Sequence, residues 1–150
     1  MKREVVVAVK QLAGTEDLPL PVYETEHASG MDLRAAITQD ILLSPGERMA
    51  VPTGLCIAIP PGYEAQVRPR SGWALREGVT MINAPGTIDA DYRGEIKVLL
   101  VNLGAESVTI TRGDRIAQLI VGPVAHVAWE RVAELDETGR GAGGFGHTGR

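Results

Sequence analysis

Twelve consecutive positions, Asn83-Ala84-Pro85-Gly86-Thr87-Ile88-Asp89-Ala90-Asp91-Tyr92-Arg93-Gly94, put an amide, two carboxylates, a phenol and a guanidinium on one short stretch. Loops carried by a rigid scaffold are preferred places for such groups. If the stretch is extended, Asp89 and Asp91 project to one face, and one of them could take a proton from water; the plain alternative is a pair of turn-capping aspartates. Upstream, Arg68-Pro69-Arg70-Ser71-Gly72-Trp73-Ala74 closes an apolar run with two arginines, whose planar donor forks suit phosphate oxygens. Ser71 is expected there as the N-cap of a short helical turn with outward N–H groups, either an anion seat or an ordinary capped turn.

A third concentration is Gly139-Arg140-Gly141-Ala142-Gly143-Gly144-Phe145-Gly146-His147-Thr148-Gly149, six glycines around one arginine, one aromatic, an imidazole and a hydroxyl. Glycines leave backbone N–H groups open to an anion. At ~1–2 kcal/mol of backbone entropy per residue, fixing this stretch costs on the order of 10 kcal/mol, more than one Phe can return. It is therefore expected to be disordered alone and to close as a lid over a site built elsewhere, the alternative being a merely flexible terminus. Dinucleotide-fingerprint and Walker-type spacings both match here, but each needs a strand before and a long helix after, and no helix is expected before Arg150.

A chain of 150 residues suits one domain that buries roughly 68–70% of its unfolded surface. A net charge of −4 argues against a broadly basic nucleic-acid surface, so an anionic ligand must be held by a few local arginines, which favours a small phosphorylated molecule. The single cysteine, Cys56, lies in the apolar run 55–59 and reads as a buried structural thiol. With neither a signal peptide nor a membrane-length apolar run, a cytoplasmic location is the expectation.

Short β-rich runs alternate with turn signals: 4–9, 48–51, 55–59, 63–67, 95–103, 107–110 and 115–121, separated by Ser44-Pro45-Gly46, Pro60-Pro61-Gly62, Ala84-Pro85-Gly86 and Arg112-Gly113-Asp114. Such spacing predicts an all-β sandwich or barrel. Residues 96–101, apolar except for Lys97, suggest a strand covered on both sides, and 116–121 is similar with Gln118 intruding; both would suit a subunit interface. For 127–135 a strand is expected over a helix.

Taken in order, these pieces resemble the trimeric dUTPase family. The five motifs that carry the resemblance are Ala28-Ser29-Gly30-Met31-Asp32-Leu33-Arg34-Ala35, then residues 68–72, then 83–94 running on to 102, then Arg112-Gly113-Asp114-Arg115-Ile116-Ala117-Gln118-Leu119, and finally the glycine-rich end. The resemblance implies a distorted jelly-roll β-barrel over residues 1–138 with a lid at 139–150. It also implies a homotrimer whose active sites are built from neighbouring subunits, and Mg²⁺-dependent hydrolysis of dUTP to dUMP and pyrophosphate. That reaction limits uracil incorporation into DNA and supplies dUMP for thymidylate synthesis.

By the same resemblance, Asp89 is the catalytic carboxylate that activates water against the α-phosphorus. Asn83, with Gly86, Thr87 and Ile88, belongs to the hairpin that reads uracil, while Lys97 joins the substrate-binding set. Tyr92 lies beneath the deoxyribose and leaves no room for a 2′-hydroxyl. Arg70, Ser71, Gly72 and Gln118 bind phosphates. In the lid, Arg140 clamps the γ-phosphate, Phe145 stacks on uracil, and Gly146, His147 and Thr148 add contacts. Mg²⁺ is held mainly by triphosphate oxygens and water, with no protein ligand cluster among His27, His126, His147 and Cys56. Asp32 reads equally as a carboxylate supporting the site or as the partner of a nearby arginine. Trp73 departs from the smaller aliphatic residue usual in the family. A related fold serves deoxycytidine triphosphate deaminases, but these would want a catalytic glutamate near the base. A non-catalytic dUTP-binding regulator would have no use for Asp89, nor would a purely structural jelly roll combine Asn83, Asp89, Tyr92 and the tail.

Overall fold

The computed structural model describes residues 4–149; the first three positions of the expected core and the last of the expected lid lie outside the described residues. Ten strands and one short helix follow in the order β1 (Ala8–Gln11), β2 (Met31–Arg34), β3 (Ile41–Leu43), β4 (Arg48–Ala58), β5 (Tyr63–Arg68), α1 (Ser71–Glu77), β6 (Val79–Met81), β7 (Gly86–Ile88), β8 (Glu95–Asn102), β9 (Val108–Ile110) and β10 (Arg115–Pro123). Every pairing is antiparallel. Two four-stranded sheets, β1-β4-β8-β6 and β2-β10-β5-β7, face one another, and β3-β9 closes one side, giving a distorted jelly roll. The inward faces meet in one apolar core whose deepest members include Leu33, Val51, Val98, Leu100, Ile110 and Ile116.

The two runs expected at 48–51 and 55–59 form one strand, β4. Pro52, which has no N–H to give a ladder, sits at a bulge where the register jumps from Pro52↔Lys97 to Cys56↔Glu95. Thr53 Oγ1 donates to Ile96 O at 2.7 Å across the gap, and the N–H of Gly54, whose φ is +70°, is accepted by Glu95 Oε1 at 3.0 Å. The bulge thus fixes the first residue of β8.

Other expectations are corrected. Residues 4–7 are not strand, and β1 begins only at Ala8. β8 is covered on both faces only toward its end: Ile96, Val98 and Leu100 are buried while Lys97 on the other face is exposed and Leu99 half-buried, but Val101 and Asn102 are both buried. Residues 127–135 form neither strand nor helix and are exposed, Trp129 at 93%, so among the described residues of one chain nothing pairs with their backbone or covers their apolar side chains. Strands β2, β3, β6 and β7 lie outside the runs that the sequence marked; each is only three or four residues long and is held by its neighbours rather than by its own alternation.

Loops are pinned by polar clasps. Arg112 donates to Asp17 Oδ1 and Oδ2 at 2.5 and 3.1 Å, to Gly14 O at 2.7 Å and to Ile37 O at 3.1 Å; the hydrogen bond from Arg112 holds the Asp17 carboxyl below its ordinary value of 3.8. At the far end of β8, the fully buried Asn102 donates Nδ2 to Leu43 O and Glu106 O, and its Oδ1 accepts the Gly104 N–H. Replacing Asn102 with Ala would orphan these groups at ~1–3 kcal/mol for an unsatisfied one. Asn102→Ala should therefore lower Tm by roughly 5–10 °C in thermal melts at this chain length, whereas an unchanged Tm would mean that water replaces the amide.

Candidate active site

Where the chain leaves β6 it changes sheets. β6 pairs with β8 in one layer and β7 pairs with β5 in the other, so residues 82–85 cross between layers, and residues 89–94 cross back to β8. The hairpin expected here is therefore two strands in different sheets rather than a paired ladder. Between the crossings lies a cavity of about 230 Å³, and Asn83, Gly86, Thr87, Ile88, Asp89, Tyr92 and Lys97 all line it. Met81, Val67, Ile96 and Leu99 supply its apolar walls.

Gly86 is buried, and a Cβ there would come within 3.1 Å of Asn83 Nδ2 and 3.6 Å of Val67 Cβ, so the absent side chain leaves room for the amide. Residues 89–92 make a turn, closed by Tyr92 N–H donating to Asp89 O at 3.1 Å. The extended arrangement that would set Asp89 and Asp91 on one face is thus replaced by a turn. Asp89 is exposed at the cavity wall, and its carboxylate has no hydrogen bond or ion pair among the described residues. Tyr92 donates its phenol to Glu95 O at 2.9 Å, which holds the ring in place. Glu95, which the sequence reading did not single out, is the residue anchored by the β4 bulge. No local signal marks it, because its role depends on a bulge some forty positions upstream.

The second group of residues lies elsewhere on the chain. Ser71 is the first residue of α1 and not its cap: Arg70 is the N-cap, with no side-chain capping bond, and Gly78 at φ +71° ends the helix. Arg70 Nε pairs with Asp32 Oδ1 at 3.2 Å, and Arg115 Nε approaches Asp32 Oδ2 at 3.6 Å, so Asp32 makes the arginine ion pair that one of its two readings expects. Arg70 borders a polar depression of about 590 Å³ that also takes in Arg34, Arg76 and Arg115. Gln118 donates to Pro69 O at 3.0 Å, tying β10 to the start of this segment, and its Oε1 fills the space where Gly30 has no side chain. Trp73 is half-buried and packs against the core, so the departure at this position is absorbed by packing.

The glycine-rich end forms a third, separate place. Its backbone makes only local turns, with Arg140 Nε donating to Gly143 O at 2.8 Å and the His147 ring lying over Gly143. Arg140, Gly146, His147 and Thr148 share one shallow depression, while Phe145 is fully exposed at φ 50°. The three depressions have no lining residue in common. One chain therefore gathers the cavity residues but joins neither the arginine segment nor the tail to them. Among the described residues no three of His, Cys, Asp or Glu converge as a metal cluster, nor is any helix long and apolar enough to cross a membrane.

A family model for dUTPase matches residues 16–149. The chain is 56% identical over 152 residues to the deoxyuridine 5'-triphosphate nucleotidohydrolase of Ehrlichia canis, covering 99% of each. It is 60% identical over 135 residues to the protein of the same name from Desulfotalea psychrophila, covering 90% of each. Among solved structures it superposes on a mutant dUTPase of Staphylococcus bacteriophage 80alpha with dUpNHpp at a TM-score of 0.86, 24% identity, and 97% and 99% coverage of the two chains. A mutant dUTPase of phage phi11 of S. aureus, described with a structural Mg(II) ion, gives a TM-score of 0.76 at 22% identity, covering 86% of this chain and 97% of that one. The jelly roll is thus the fold of those enzymes, and the chain belongs to the dUTPase family.

Proposed function

We propose that this chain hydrolyses dUTP to dUMP and pyrophosphate, with deoxyuridine in the cavity between β6, β7 and β8 and Asp89 as the base that activates water against the α-phosphorus. The observation that carries the reading is an uncommitted carboxylate, Asp89, one turn from Tyr92 on the wall of a cavity that also holds Asn83. The names of the two bacterial relatives support the substrate.

At about 230 Å³ the cavity is smaller than the ~300–1,000 Å³ typical of pockets that hold a whole ligand. It suits a pyrimidine and its sugar, leaving the triphosphate outside. Asn83 and the backbone beside Gly86 would meet the donor and acceptors of uracil, and a site built to satisfy those groups penalises cytosine's amino group. The Tyr92 ring, tethered to Glu95 O, would lie against C2′ of the deoxyribose. Lys97, exposed on β8 and lining the same cavity, joins the substrate-binding set.

The phosphates then need donors that one chain keeps elsewhere: Arg70, Ser71, Gly72 and Gln118 in one group, and Arg140, Gly146, His147 and Thr148 in another, with Phe145 free to cover the base. Separate depressions on one chain support a homotrimer in which three subunits complete each site. They also support residues 139–150 as a lid that excludes water and clamps the γ-phosphate through Arg140. Mg²⁺ would enter with the nucleotide. Carried by phosphate oxygens and water, it would supply charge neutralisation of the triphosphate. In the cytoplasm such an activity would keep uracil out of DNA and deliver dUMP for thymidylate synthesis.

Asp89→Asn keeps shape and hydrogen bonding but cannot accept the proton. It should lower kcat by ~10²–10⁴-fold with little change in dUTP affinity; turnover within about tenfold of the parent would remove Asp89 from the role. Tyr92→Ala should admit UTP, seen as a falling ratio of dUTP to UTP kcat/KM, and an unchanged ratio would move sugar selection elsewhere. Deleting residues 139–150 should leave sizing and thermal melting unaltered while kcat/KM drops by about 10²-fold. A truncated, well-folded protein that hydrolyses dUTP as efficiently as the full chain would reduce the tail to a flexible terminus.

A further inference from the structure

Gly94 has no side chain to contribute, and its φ is not positive, so its own backbone does not require glycine. Its neighbour Tyr92 is what a side chain there would meet. A Cβ built on Gly94 would lie 2.5 Å from the Tyr92 phenolic oxygen, 2.7 Å from Cζ and 3.0 Å from Cε2. At those distances a side chain at Gly94 would force the tip of the Tyr92 ring to shift, so the ring as it stands lies close against the bare Gly94 residue. The same phenol donates to Glu95 O at 2.9 Å, one residue beyond the glycine. Arg93 Nη1 closes the turn by donating to Ala90 O at 2.7 Å and Tyr92 O at 3.0 Å, and Glu95 is itself held by the Gly54 N–H at 3.0 Å. The tip of the ring thus lies against the bare glycine and is tied by one hydrogen bond to Glu95 O.

We propose that Gly94 is a specificity-positioning residue: by letting the tip of the Tyr92 ring come close to the chain, it sets the depth of the sugar floor and hence the exclusion of ribonucleotides. The inference rests on the reading that Tyr92 excludes a 2′-hydroxyl. Exclusion by a ring works only at van der Waals distance, so a methyl group wedged beneath it changes selection without touching the substrate. The turn's bond from Tyr92 N–H to Asp89 O is made by the backbone and does not involve the ring.

The test is pyrophosphate release from dUTP and UTP, with kcat and KM determined separately, for the full-length parent, Gly94→Ala, Tyr92→Phe and Tyr92→Ala, alongside sizing and thermal melting. Gly94→Ala should fold and should lower the dUTP-to-UTP ratio of kcat/KM at least tenfold, chiefly through KM for dUTP. Tyr92→Phe, which keeps the ring but loses the tether to Glu95 O, should lower the ratio by a smaller factor of threefold or more. If Tyr92→Ala collapses the ratio while a folded Gly94→Ala leaves it at the parental value, the role of Gly94 is overturned and the role of Tyr92 stands. If Tyr92→Ala itself leaves the ratio unchanged, the reading of the sugar site fails and the inference with it. Should Gly94→Ala not fold, Tyr92→Phe decides: a parental ratio overturns the seated-ring account, and a reduced one supports it.

Discussion

Two antiparallel sheets can bury their apolar faces only against each other, and a single chain that supplies strands to both must keep crossing the gap. The rest of this molecule follows from that constraint. β6 and β8 belong to one layer and β7 to the other, so the chain crosses outward at residues 82–85 and back at 89–94. Beyond the Ile82 N–H to Leu99 O bond that ends the β6–β8 pairing, neither crossing runs along a ladder, yet both are gripped at each end by strands. Functional groups placed there gain loop-like freedom of conformation and strand-like precision of position. Asn83 lies on the first crossing, Asp89 and Tyr92 on the second, and the short strand β7 keeps the two in step through its register with β5.

The β4 bulge is the support beneath this arrangement. By spending two extra residues opposite β8, it turns the Gly54 N–H away from the ladder and onto the Glu95 carboxylate. Glu95 begins β8 and offers its carbonyl to the Tyr92 phenol. A distortion in one strand is thereby transmitted through two hydrogen bonds to an aromatic ring at the cavity. The arginine segment and the glycine-rich tail follow another logic. Arg70 is held by Asp32, and the tail is held only by its own turns, so both are presented at the surface instead of being folded onto the cavity.

Much of this was legible before the structure. Long strands such as β5, β8 and β10 announce themselves by apolar runs between Gly and Pro turns, and the residues of the 83–94 stretch stand out because so many functional types crowd one loop. Four short strands were not legible, since three or four residues carry too little period to read and their identity is decided by partners distant in sequence. The 127–135 stretch misled for the complementary reason: it has strand-like composition, but in one chain it has no partner. Ser71 looked like a cap by type alone, whereas the backbone at Arg70 begins the helix one residue earlier. Glu95 and Gly94 were invisible because their significance is geometric. One is fixed by a bulge far upstream and the other is defined by what would collide with it.

The central claim is that the inter-sheet cavity reads deoxyuridine and that the chain cleaves its triphosphate. Initial rates of pyrophosphate release from dUTP, dTTP, dCTP and UTP, measured side by side on the full-length protein with Mg²⁺, test it most directly. The account expects dUTP to be cleaved with a kcat/KM at least a hundredfold above each of the others. Comparable rates for all four nucleotides, or release of ammonia from dCTP in place of pyrophosphate from dUTP, would contradict it.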